Sequence, residues 1–144
     1  MSAAVALTPR VRMMAICDAV RESMVEADVF DLEGVRQSMA AQAFPFVPSQ
    51  LWLFLVLSSP RAGSFPGYIR IVNDSTAKAV FFGHLDPCPA FDADAGTAPV
   101  YAPVRCAFPE DGVYTVQIWF FREEGSDVLK GEMPFSIKTG GNDP

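Results

Sequence analysis

The residues best suited to chemistry in this chain surround its one histidine. His84 lies in Phe82-Gly83-His84-Leu85-Asp86-Pro87-Cys88. Successive side chains of an extended backbone alternate sides, so His84, Asp86 and Cys88 are expected to project together. An imidazole, a carboxylate and a thiolate suit a zinc ion with a fourth position left open for water. A metal-assisted enzyme is one expectation built on that triplet. The competing expectation is a strand end running into a polar loop, because no second ligand pair follows at metal-site spacing. A Ser–His–Asp or Cys–His mechanism has only this ring to use as base.

Other constellations fall short of their chemistry. Asp92-Ala93-Asp94-Ala95-Gly96 starts like a calcium loop, but Gly96, Thr97 and Pro103 stand where it needs a ligand, a glycine and an acid. The carboxylate pairs Glu110/Asp111 and Glu123/Glu124 sit at predicted turns, where water keeps their acidity ordinary. Gly63, Gly67 and Gly112 are isolated, so no phosphate-cradling loop is expected. The expectation is a non-catalytic protein with no cofactor.

Charge narrows the partners. Seventeen acidic residues against 11 basic ones give a net charge of −6. Neutralising nucleic acid phosphates needs clustered Lys and Arg, and an anionic membrane needs the same. Neither partner is expected. The longest apolar run, Leu51-Trp52-Leu53-Phe54-Leu55-Val56-Leu57, is far short of the ~20 residues of a membrane span. The start, Met1 to Leu7, has no basic residue before its apolar run and so does not fit a secretory signal. Three cysteines (Cys17, Cys88 and Cys106) without an export signal favour free thiols in a reducing cytoplasm. The alternative is a Cys17–Cys106 bridge.

A chain of 144 residues is one domain by size, and half of it is hydrophobic. Twelve Pro and ten Gly fall between short apolar segments, the punctuation of an all-β protein. In residues 113–122, Tyr114, Val116, Ile118 and Phe120 share one face. Thr115, Gln117, Trp119 and Phe121 share the other. Residues 123–127 read as a hairpin loop. Then Leu129, Gly131, Met133, Phe135 and Ile137 alternate with polar residues, and Pro134 on the outward set predicts an edge strand.

Upstream, residues 51–57 are expected to form a central strand. Residues 68–73, 78–82 and 105–108 read as further strands, with Ile69 and Ile71 opposite Arg70. Residues 13–21 read as a strand that pairs with 26–31. Residues 32–43 are ambiguous between a short helix and an irregular strand. Residues 86–103, with Pro87, Pro89, Pro99 and Pro103, are expected to be a long loop.

The segment Pro109-Glu110-Asp111-Gly112-Val113-Tyr114 carries the most specific structural signal. A tyrosine just inside a strand, two residues after Gly112 and behind an acidic turn, matches the tyrosine corner of immunoglobulin-like sandwiches. There the phenol hydroxyl bonds backbone a few residues upstream and pins a crossover between sheets. The fold expected is therefore an all-β, immunoglobulin-like antiparallel β-sandwich. It has about seven or eight strands and at most one short helix. A flexible arm is expected over residues 1–10, the domain over 11–138 and a flexible tail over 139–144.

Four short pieces also resemble a family of small bacterial β-sandwich domains of unknown function. They are Ile16-Cys17-Asp18 with Arg21-Glu22, Phe44-Pro45 with Pro48, Gly112-Val113-Tyr114, and Pro134-Phe135-Ser136-Ile137. The resemblance implies a cytoplasmic, non-catalytic module and supplies no catalytic residues. Residues 38–43 and 86–103 depart from the family pattern.

The outward pair Trp119 and Phe121 points to a partner. Two large aromatics side by side on a solvent face are costly to leave wet. Either a loop such as 86–103 covers them, or they anchor a protein interface flanked by Gln117 and Thr115. The function expected is a protein-interaction module, with a homodimer through this face as one form. The alternatives are a small-molecule or carbohydrate binder, marked by a concave aromatic pocket, and the metal-assisted enzyme at His84, Asp86 and Cys88.

Overall fold

The computed structural model describes residues 8–92, 96–122 and 124–140. The alternating pattern of the carboxyl end does form a hairpin. The strands, in chain order, are β1 (Arg10–Cys17), β2 (Ala19–Glu22), β3 (Phe30–Glu33), β4 (Ser38–Ala41), β5 (Trp52–Ser58), β6 (Gly63–Ser64), β7 (Gly67–Asn73), β8 (Ala79–His84), β9 (Ala90–Phe91), β10 (Thr97–Pro103), β11 (Gly112–Phe120) and β12 (Val128–Thr139).

Two sheets carry the fold. One has three antiparallel strands in the order β1-β5-β10. The other has five, in the order β4-β12-β11-β7-β8, with β4 parallel to β12 and the remaining pairs antiparallel. Two small pairs, β2-β3 and β6-β9, complete the set. The buried faces of both large sheets enter one hydrophobic core. Leu53, Leu55 and Leu57 come from β5, Ile69 and Ile71 from β7, and Val116, Ile118 and Phe120 from β11. Each such side chain contributes about 1.5–3 kcal/mol on burial, so these two alternating faces hold the sheets together.

The tyrosine corner forms. Tyr114 has no exposed surface, and its hydroxyl donates to the Glu110 backbone carbonyl at 2.5 Å. Gly112 supplies the turn at φ +137°, where a side chain is strained. A buried amide latches the corner to β7: Asn73 Nδ2 donates to Glu110 Oε1 at 3.0 Å, while Asn73 Oδ1 accepts from the Ser75 backbone N–H at 2.8 Å. Arg36 grips Asp18 with two hydrogen bonds, one of 2.9 Å from Nη2. That pair ties the β1–β2 junction to the chain entering β4.

Several expectations are corrected. The described residues hold twelve strands rather than seven or eight, because β2, β3, β4, β6 and β9 have only two to four residues. Segments that short show no periodicity in the sequence. Residues 32–43 form no helix: they hold the end of β3 and all of β4. Gly34 turns the chain at φ +61° between them, and a Cβ there meets Asp18 Oδ2 at 2.3 Å. Residues 86–103 are not one long loop, since β9 and β10 lie inside them. Residues 105–108 are not a strand and make only an isolated bridge from Phe108 to Phe46. The last strand is an edge only over residues 128–135, because β4 pairs with Ser136 through Thr139. The arm expected over residues 1–10 lies outside the described residues up to residue 7, and Arg10 already belongs to β1. In the expected tail, Thr139 ends β12 and residues 141–144 lie outside the described residues.

Candidate functional site

The outer face of the five-stranded sheet gathers aromatic rings at one end. Cross-strand partners share a face, so the ladder places His84, Tyr68, Trp119 and Leu129 in one row across β8, β7, β11 and β12. Phe82 sits diagonally, with its ring 4.8 Å from Tyr68. Phe121, just past β11, closes the cluster at 5.0 Å from Tyr68. Tyr68 and Trp119 stack with nearly parallel planes, 2° apart, at 6.2 Å.

The cluster is dry at its centre and open at its rim. Tyr68 is 9% exposed although it points away from the core. Its hydroxyl donates to Asp127 Oδ2 at 3.0 Å, and burial with that bond raises its pKa. Around it Phe82 is 55%, Phe121 39% and Leu129 37% exposed. Trp119 is half-buried, and its indole Nε1–H donates to Gln117 Oε1 at 2.9 Å. The next row across the same strands reads Phe82, Arg70, Gln117 and Glu132, polar in its last three members.

The residues singled out in the sequence divide in two. Trp119, Phe121 and Gln117 meet in this cluster. Thr115 shares their face two rows away, where its hydroxyl donates to Asp74 Oδ1 at 2.6 Å. His84 joins the aromatic cluster, 5.3 Å from Phe82 and 6.1 Å from Phe121 by ring centroids. Asp86 and Cys88 instead line a cleft with Trp52 and Tyr101. Among the described residues no group of three His, Cys, Asp or Glu side chains is placed to hold a metal ion. The loop expected to cover Trp119 is committed elsewhere. β10 is hydrogen-bonded to β5 in the other sheet, and Phe91 of β9 packs against Phe65, 5.8 Å away in the core.

The cleft lies beside β10. It encloses about 620 Å³, bounded by the rings of Trp52 and Tyr101, by prolines, and by the carboxylates Glu22 and Asp86. Tyr101 donates to Glu22 Oε1 at 2.6 Å, a bond that raises the phenol's pKa. Phe30 on β3 folds over the same sheet, with its ring 5.3 Å from Phe54 and 5.8 Å from Tyr101.

No protein-family model matches the chain, and no curated protein matches it. Among solved structures, the chain is similar to the PmoD soluble domain from Methylocystis sp.. The two share 13% identity over 89% of this chain and 96% of that one, with a TM-score of 0.36. No helix long and apolar enough to cross a membrane occurs among the described residues.

Four members of this face, Tyr68, Phe82, His84 and Leu129, were not assigned to it from the sequence. Parity places Tyr68 beside Arg70 on the outward set, opposite Ile69 and Ile71, so its position was readable. Phe82 and His84 follow from the same parity on β8. Leu129 was expected on the core face and lies on the outer one. A bulge sets Ile118 against Gly131 but Trp119 against Leu129, so Lys130 is the extra residue and the alternation inverts there.

Proposed function

We propose that this protein is a non-catalytic interaction module of the cytoplasm that self-associates through the aromatic face of its five-stranded sheet. The reading includes an immunoglobulin-like sandwich, supported by the Tyr114 corner, and membership of the small bacterial family that the chain resembles. The observation that carries it is the exposed aromatic rim around a dry Tyr68, on a sheet face left without a covering element among the described residues. Apolar area stabilises an interface at about 25 cal/mol per Å², and clustered aromatics are the usual anchors. A second copy is the partner favoured by charge. Arg70 and Glu132 flank Gln117 in one row, so a two-fold arrangement sets each cation against the other copy's anion. Three free thiols, with Cys88 exposed, support a reducing compartment.

Sedimentation velocity tests the reading. A dimer is expected whose dissociation constant rises at least about tenfold in Trp119→Ala and in Phe82→Asp, the loss of a hot-spot aromatic. A protein that stays monomeric up to about 1 mM, the weakest association worth the name, overturns it. A second reading, a small-molecule binder, is favoured by the concave cleft between Trp52 and Tyr101.

A further inference from the structure

The cleft beside β10 has a chemical character that narrows its ligand, and the inference below rests on the reading of that cleft as a ligand site. Two of its lining residues are aromatic neighbours: Trp52 and Tyr101 have ring centroids 6.2 Å apart and planes inclined at 51°. Prolines make up much of the remaining wall. They offer CH surface and carbonyl oxygens but no N–H donor. The charged groups of the lining are carboxylates, Glu22 and Asp86, and the lining contains no Lys, Arg or His. Neither carboxylate takes part in an ion pair among the described residues. Tyr101 orients Glu22 by donating to Oε1, and no bond to Oε2 is made among the described residues.

A second cleft of about 320 Å³ adjoins the first and shares Glu22, Pro99 and Tyr101 with it. It adds Glu26 and Asp28 and again no cation. Negative potential therefore continues along the groove on both sides of Tyr101. The larger volume lies within the range of about 300–1,000 Å³ typical of small-molecule sites.

Such a wall repels anions, because its charged groups are all carboxylates. It suits a positive charge wrapped in alkyl groups, which needs no directed hydrogen bond and is attracted by ring faces and nearby carboxylates. We propose that this cleft binds the quaternary or alkylated ammonium group of a small organic cation, with Trp52 and Tyr101 as walls and Glu22 and Asp86 as counter-charges. No bond is made or broken in that role.

Choline is the probe, and 3,3-dimethylbutanol, of the same shape without charge, is its control. Calorimetry and nitrogen-15 spectra of the wild-type protein are read together, since its two tryptophans give two indole N–H signals. Saturable choline binding that moves the Trp52 indole signal and leaves that of Trp119 in place is expected, with the alcohol at least about tenfold weaker, as one cation–π contact implies. The double variant Glu22→Gln, Asp86→Asn is expected to weaken choline about tenfold or more and leave the alcohol unchanged, because the counter-charges are gone while the walls stay. If choline and the alcohol bind equally, the cation assignment falls and the cleft remains a ligand site. Should neither move the Trp52 signal, both the assignment and the ligand site fall. Unchanged choline affinity in a folded double variant also overturns the assignment.

Discussion

Cys106 is 1% exposed, and burial pushes its thiol pKa up to about 12. Cys17 is fully buried and raised for the same reason, whereas Cys88 is exposed. Reactivity follows the thiolate and its access. Titration of the native protein with a disulfide reagent should therefore count one fast thiol per chain, and titration in denaturant should count all three. The sequence placed Cys17 and Cys106 in apolar stretches, so their burial was legible, and the alternative bridge between them is not made. The corner residue was equally readable, because an acid turn, a glycine and a tyrosine are adjacent in the chain. Tyr114→Phe removes the hydroxyl from the Glu110 carbonyl and leaves a buried acceptor without its donor. A loss of about 1–3 kcal/mol is expected in urea unfolding, with no change in fold. The partners of His84 were not legible. Local spacing suggested Asp86 and Cys88, but its neighbours are rings brought by β8 and by the end of β11, and sequence distance hides them.

Strand β11 was readable along its whole length because its buried positions are large and strictly alternate. β12 was readable only as far as its bulge, since one extra residue reverses parity without leaving a mark in composition. The two- and four-residue strands had no pattern to read, and tertiary pairing alone creates them. Close approach between strands is equally invisible until the chain is folded. A Cβ on Gly67 meets the Trp119 backbone oxygen at 2.7 Å and Phe120 Cδ1 at 2.9 Å. Backbone cannot move aside as a flexible side chain can, so Gly67→Ala should cost about 1–3 kcal/mol. Because Gly67 pairs with Phe120, next to the Trp119–Tyr68 step, the same variant should also shift the Trp119 indole resonance. An unfolding midpoint equal to wild type contradicts the tight ladder at that point.

All three tyrosines have raised pKa values: Tyr68 and Tyr114 chiefly through burial, Tyr101 chiefly through its bond to Glu22. With Cys17 and Cys106, five groups hold their protons more tightly when folded than when unfolded. In that range the unfolded chain binds fewer protons, so stability falls as pH rises. Their contribution is complete below the ordinary thiol value of 9.0 and declines above it, through 10.0 for the phenols and towards about 12 for Cys106. Urea midpoints measured across that window should fall steadily, and a flat profile contradicts the burial of these groups. Trp119→Ala uncovers only Tyr68 of these five groups and should leave most of this alkaline slope in place.

The placement of β12 has a further consequence during synthesis. It lies between β11, its neighbour in the chain, and β4, which is made almost a hundred residues earlier. Until β12 leaves the ribosome, β4 has no partner, and the greasy side of β11 and β7 lacks the stave that completes it. Such distant pairings are slow to close. The nascent polypeptide therefore emerges with unsealed edges, and Val128–Thr139 act as the bolt that shuts them.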